Sequence, residues 1–247
     1  MLRAEARVAA RLTDLDELRS WILFEDDDLL VVNKPGDVVC HPSKNGPWSS
    51  LVGACREYTG LETLHMPSRL DRETSGVVVL VKNHPLASKL QMAIQRREVR
   101  KRYLAILQGH LASPVEVSEP LGPLADSPVW VQQCTRPDGA AALTRFTPVR
   151  TVGSFTLAEV EPHTGRLHQI RVHAAWLGHP LVGDKIYGGD PRLFLDFIEQ
   201  GNTPELAERL LLPRQALHCE EIVYQTTPEY RFAAPLPADL TDFLASL

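Results

Sequence analysis

Asp71 lies between two arginines: Arg69 precedes it by two residues, Arg72 follows directly, and Glu73, Thr74, Ser75 and Gly76 complete a short polar stretch. Cationic neighbours favour the charged form of a carboxylate. An ionised carboxylate in a preorganised loop can act as nucleophile, base or electrostatic stabiliser. Taken alone, the stretch reads first as a turn with a surface Asp–Arg pair, so the neighbouring motifs decide. Arg96–Arg102 holds five basic residues and one acid and runs straight into Tyr103-Leu104-Ala105-Ile106-Leu107. Between Glu161 and Asp184 there is no acid, but there are two arginines, Arg166 and Arg171, and four histidines, His163, His168, His173 and His179. So one-signed a polar set suggests a surface that faces phosphates. Metal-ligand spacing, a glycine-rich phosphate loop and the HExxH pattern are all missing. An aspartate working with arginine and tyrosine then points to covalent or electrostatic catalysis at an electrophilic carbon, on a phosphorylated or nucleic-acid substrate.

The elements that must hold these residues are legible from pattern. Val77–Val81 is an unbroken β-branched and leucine run, a buried strand fed by the Asp71 loop. Trp21–Phe24 and Leu29–Val32 are strands about an acidic turn, and Ser49 or Ser50 caps a helix running to Tyr58 and ended by Gly60. Residues 4–20 form a short amphipathic helix and 86–97 a second one. Further strands are expected at 103–107, 129–133, 142–148, 155–161, 218–224 and 230–233, with helices at 192–212 and 237–244. After Thr164-Gly165 a helix carries Leu167, Ile170, Ala174 and Leu177 on one face. Arg171 sits on the edge of that face, aimed inward, where a partly buried arginine needs an anionic partner. Strands joined by short turns imply antiparallel pairing. The class is α+β, a mixed, largely antiparallel sheet flanked by helices, with residues 1–20 an extension and 21–247 a single catalytic domain.

With 247 residues, 44% hydrophobic and 23% charged, the chain can bury an ordinary core. It lacks an apolar run of the roughly 20 residues that span a bilayer, and a secretory signal. Cys40, Cys55, Cys134 and Cys219 are scattered, which excludes a CxxC zinc site and fits a reducing cytoplasm. The net charge of −5 conceals a gradient: residues 1–30 carry 4 basic and 8 acidic side chains, and 190–247 carry 4 and 10. The totals of 26 and 31 leave 18 basic and 13 acidic for residues 31–189, so the positive charge gathers where the motifs are and the acidic total does not exclude RNA.

At these residues the sequence resembles the RluA-type pseudouridine synthases. Their HRLDxxTSG loop reads SRLDRETSG here, Ser68–Gly76. EDDDLLVVNKPGDVVCHP (Glu25–Pro42), RREVRKRYLAILQGH (Arg96–His110) and EPHTGRLHQIRVHAAWLGHPLVGDKIYG (Glu161–Gly188) resemble the family's other motifs in the same order, and ALHCEEIVY and APLPADL its closing segments. The resemblance implies that Asp71 is the catalytic aspartate, that Tyr103 packs against the target base, and that Arg171 pairs with the aspartate. Arg69 would fill the gap left by an extruded nucleotide. Arg72, Lys34, Arg100, Lys101, Arg166 and His168 are the further candidates for RNA contact. Two departures are visible: Ser68 replaces the usual histidine, and Gly36 follows Pro35 directly where the family has KPxG. With about 20 residues before the first motif, the S4-type RNA-binding domain of many relatives is not expected.

The implied reaction breaks the N1–C1′ bond of a uridine in ribosomal or transfer RNA, turns the base and rejoins it through C5, in the cytoplasm, by a monomer without cofactor or metal. The base must first be flipped out of its stack. Tyr103 offers it a flat face and a hydroxyl for proton relay. Asp71 has three routes: attack at C1′, addition to C6, or abstraction of a proton from C2′. A nucleotide glycosidase would need a second carboxylate, and none stands out. A catalytically inactive RNA-binding module on the same fold would be signalled by loss of the Asp, Tyr or Arg, and all three are present.

Overall fold

The apolar run after Asp71 is a strand buried along its whole length, and the elements around it account for that. The computed structural model describes residues 11–41 and 46–247. In chain order it contains α1 (Leu15–Trp21), β1 (Ile22–Glu25), β2 (Leu29–Lys34), α2 (Leu51–Thr59), β3 (Ser75–Val81), α3 (His84–Gln95), β4 (Val99–Gln108), β5 (Val115–Val117), β6 (Leu121–Pro123), β7 (Gln133–Thr135), β8 (Thr144–Val152), β9 (Phe155–Pro162), α4 (Gln169–Trp176), α5 (Arg192–Gln200), α6 (Pro204–Leu210), β10 (Leu217–Tyr224), β11 (Tyr230–Ala233) and α7 (Ala238–Ala245). The class is the expected one, a largely antiparallel sheet flanked by helices. Among the described residues no helix is long and apolar enough to cross a membrane.

The chain groups into two compact units, one of residues 104–217 and 239–247 and the other of residues 11–103 and 218–238 among those described. In the second, the strands run β1-β2-β3-β10-β4, with β11 added to β10. β2 lies antiparallel between β1 and β3. β3 pairs with β10 in parallel, over Ser75↔His218 and Gly76↔Cys219. The expected class is a mixed sheet, but turn patterns locate only its antiparallel neighbours; this parallel pair joins strands some 140 residues apart in the chain. All seven residues of β3 are buried, which explains a run without alternation. α3 packs on β3, and α1 on β2 and α2. α2 has the expected ends: Ser50 Oγ accepts from Gly53 N at 3.2 Å, and Gly60 closes it in the left-handed conformation. Of the N-terminal helix expected over residues 4–20, residues 4–10 lie outside those described; α1 starts at Leu15, where Asp14 caps it by accepting from Glu17 N.

In the first unit β8 pairs antiparallel with both β9 and β5. β6 and β7 form a separate two-stranded antiparallel hairpin. The strand expected at 129–133 is thus shorter and later, because Val129–Gln132 is a tight turn closed by Gln132 N on Val129 O. The helix expected over 192–212 is divided into α5 and α6 around Gly201-Asn202-Thr203, and Leu193, Phe197, Leu206 and Leu210 pack the two pieces together. Arg214 grips Asp239 of α7 through Nε and Nη2 at 2.6 and 3.0 Å.

Candidate active site

Several contacts hold the loop that carries Asp71. Cys40 Sγ donates to Leu70 O at 3.3 Å, and Thr74 N to Asp71 O at 3.2 Å. Lys34 Nζ donates to Arg72 O at 3.0 Å, and also to Pro35 O and Val38 O at 2.8 and 2.9 Å. Ser75 Oγ lies 3.0 Å from Nδ1 of buried His218, whose Nε2 faces Ala234 O at 3.2 Å. A carbonyl only accepts, so Nε2 carries the proton and Ser75 donates to Nδ1. One residue on, a Cβ at Gly76 would fall 2.2 Å from Cys219 O, so only glycine allows β3 to meet β10 here.

Lys34, expected as an RNA contact, is fully buried in this structure, and its Nζ donates to three backbone carbonyls. The other candidates of this unit differ in position. Arg69 and Arg100 are exposed, Lys101 is half-buried, and Arg72 is half-buried with Nε 4.0 Å from Asp37.

Asp71 itself is half-buried, and its charge reaches Tyr103. Tyr103 is buried on β4, and burial, then the neighbouring Cys219 and the charge of Asp71, push its hydroxyl well above the usual phenol range. Tyr103 is thus a neutral donor at physiological pH. Lys101 is on the same face of the strand two residues earlier. Burial lowers the pKa of its amine, and it stands near Cys219, whose thiol burial pushes up to about 11. Cys219 was only one of four scattered cysteines in the sequence; its partners emerge from the β4–β10 neighbourhood.

Arg171 belongs to the other unit. It is buried on α4, as its place in the sequence predicts, and its anionic partner there is Asp184. Nε donates to Oδ2 at 2.7 Å and Nη2 to Oδ1 at 2.8 Å, a bidentate pair. Oδ1 also accepts from Ile186 N and Tyr187 N at 2.9 and 3.0 Å. Burial alone would raise the Asp184 pKa; the Arg171 charge and these donors reverse that and hold it below the usual carboxylate value. The Arg171 guanidinium also lies over the Tyr187 ring, 5.0 Å from its centre. The Tyr187 hydroxyl is 2.8 Å from His168 Nδ1 and accepts from Gln133 N at 2.9 Å. His168 is half-buried and takes a left-handed backbone at the start of α4. Arg166 is exposed, its Nε on Ala141 O at 3.1 Å.

The acid-free stretch is therefore less of a phosphate surface than its charges suggest. His173 is fully buried, with Nε2 2.9 Å from Glu119 O and Nδ1 2.8 Å from Thr144 Oγ1, and burial lowers its pKa. Gln169 fastens the turn before α4: Oε1 accepts from Thr164 Oγ1 and Arg166 N, and Nε2 donates to Leu143 O and Thr144 Oγ1. Asp184 and Tyr187 escaped sequence reading because glycine-flanked turns give no hint of burial.

A family model described as RNA pseudouridylate synthase matches residues 28–176, a span containing the Asp71 loop, Tyr103 and Arg171. The chain belongs to this family. It is an RNA pseudouridine synthase of the RluA type, an isomerase. It is 33% identical to the ribosomal large subunit pseudouridine synthase D of Vibrio vulnificus, over 100% of this chain and 74% of that protein. It is 35% identical to an uncharacterized RNA pseudouridine synthase, YjbO, of Bacillus subtilis, over 90% of this chain and 75% of that one. Among solved structures, human RNA pseudouridylate synthase domain containing 4 superposes with a TM-score of 0.73 at 25% identity, covering 93% of this chain and 94% of that chain.

Proposed function

We propose that this synthase converts a specific uridine of ribosomal RNA to pseudouridine, with Asp71 as the catalytic residue. The observation that carries the reading is the Asp71 loop itself: a half-buried carboxylate on a backbone held by Cys40, Lys34, Thr74 and His218, with a neutral tyrosine within reach of its charge. The reaction is an internal exchange. The N1–C1′ bond breaks, the C5–C1′ bond forms, and a proton leaves C5 while N1 gains one. Nothing is oxidised or consumed, so fixed carboxylate and phenol groups are sufficient chemistry.

Tyr103 supplies the face on which the flipped base lies, and its protonated hydroxyl is a hydrogen-bond and proton donor. Arg171 is the basic residue that the resemblance assigns to the reaction; Asp184 occupies its Nε and Nη2 and so sets the plane of the guanidinium. Exposed Arg69, Arg100 and Arg166 contact the RNA backbone. Ribosomal RNA is favoured over transfer RNA by the large-subunit synthases that this chain resembles.

The test is pseudouridine mapping of ribosomal and transfer RNA with the gene intact and deleted. One ribosomal uridine should lose its modification on deletion and regain it with wild type but not with Asp71→Asn, which keeps shape and RNA binding but loses charge. Restoration by Asp71→Asn would remove the aspartate from the mechanism. A change confined to transfer RNA would transfer the activity to that substrate.

A further inference from the structure

Trp130 is 89% exposed, while its neighbour Val129 is 1% exposed. The two are the first residues of the tight turn at the end of the β6–β7 hairpin. That turn is built, not loose. Leu124 N donates to Gln132 O at 3.0 Å, Gln132 N to Val129 O at 2.9 Å, and Val129 N to Ser127 Oγ at 3.0 Å, while Ser127 Oγ donates to Gln132 Oε1 at 2.5 Å. Val129 anchors the turn and Trp130 is held out from it.

The base of the hairpin is joined to the element that carries Arg171. Leu121 of β6 packs in one cluster with Ala142, Val172 of α4 and Tyr187. Gln133 N, at the start of β7, donates to the same Tyr187 hydroxyl whose ring lies under Arg171. From Gln133 to Trp130 is three residues, roughly 10 Å of backbone. Arg136, just past β7, packs its side chain over Gly122 and donates to Pro123 O at 3.2 Å; its charge is paired with Asp138. The hairpin thus offers an aromatic plane and little free charge, which suits a base better than a phosphate.

We propose that Trp130 is a specificity-determining residue that stacks on an unpaired nucleobase of the RNA substrate. The inference rests on the RNA-modifying reading above. Stacking one base on an aromatic ring amounts to roughly 5- to 150-fold in affinity, and unstacked bases are what proteins read in folded RNA.

The test uses Trp130→Ala and Trp130→Phe with an unmodified transcript of the source organism's large-subunit ribosomal RNA. Kd, KM and kcat are measured, together with the quenching of tryptophan fluorescence on RNA binding. Trp130→Ala should raise Kd and KM about tenfold and leave kcat within twofold; Trp130→Phe should restore most of the affinity while losing the Trp130 share of the quench. Unchanged quenching in Trp130→Phe, or unchanged Kd and KM in Trp130→Ala, would overturn the proposal. So would a change of oligomeric state in Trp130→Ala at constant RNA affinity, which would make Trp130 a protein contact. RNA bound and Trp130 quenched without pseudouridine formation would refute the substrate reading and leave the stacking supported. Wild type that fails to bind the transcript would overturn both.

Discussion

Asp184→Asn is the substitution that separates holding Arg171 from doing chemistry. In the native pair Oδ1 takes three donors, from Arg171 Nη2, Ile186 N and Tyr187 N, and Oδ2 takes Arg171 Nε. An asparagine oxygen placed at Oδ1 keeps the first three, but its amide then points protons at the Nε–H. The arginine also loses its counter-charge in a buried site. Breaking a buried pair from one side costs about 3–5 kcal/mol. For a chain of this length 1 kcal/mol moves the melting point about 2–4 °C, so the expected fall in Tm is about 6–20 °C by calorimetry. The pH dependence gives an independent check. The folded pKa of Asp184 lies below its unfolded value, so the pair's contribution is complete above the unfolded pKa and is lost as pH falls through the folded one. That component of acid destabilisation should vanish in the variant. The double variant Arg171→Met with Asp184→Leu removes both charges, and should recover much of the Tm because matched apolar replacements of buried pairs are tolerated. It should not recover turnover. A Tm for Asp184→Asn within 2 °C of wild type would refute the buried-pair energetics. An active double variant would remove Arg171 from the chemistry.

Lys34→Met strips a charged donor from three carbonyls, offset in part by relief of a buried ammonium, and should cost about 2–4 kcal/mol in denaturant titration. Since one of those carbonyls belongs to Arg72, kcat should fall about a hundredfold from loop displacement while RNA affinity holds. Tyr103→Phe keeps the ring and loses the hydroxyl; turnover should drop by about 10²–10⁴ in a single-turnover assay with RNA binding unchanged. His173 is held neutral by burial, so its folded pKa is below its unfolded one and the unfolded chain binds the extra proton. Thermal stability should decline as pH drops below the ordinary histidine range, and His173→Gln should flatten that decline.

The fold was legible where periodicity and punctuation agree. Ser50 and Gly60 bracket α2 as their types demand, and the β-branched run after Gly76 is the strand expected. Asp71, Tyr103 and Arg171 are candidates by type, spacing and resemblance. Two kinds of information were not legible. Pairing across long chain distance is one: Ser75 with His218 needs the parallel β3–β10 register, which no local pattern encodes. The burial of charge is the other. Lys34 reads as a phosphate contact because lysine is usually exposed, and only the fold shows three carbonyls converging on its amine. His173 belongs with it: an acid-free run looked like a surface, whereas this histidine lies between a threonine and a carbonyl in the core.

Lys34 and Asp184 have a common physical logic. Each is an ionised group placed where water is excluded, and each spends its charge on holding backbone or side chain near a residue assigned to the reaction: Lys34 on the carbonyl of Arg72, Asp184 on the guanidinium of Arg171. A neutral hydrogen bond could satisfy the same geometry at lower desolvation cost, yet charge-assisted bonds are about twice as strong and more directional. A reactive group that must be held to within about half an ångström of its productive geometry needs that stiffness more than it needs stability. On this logic the conservative changes Lys34→Arg and Asp184→Glu, which keep charge but alter reach, should damage turnover more than they damage melting temperature.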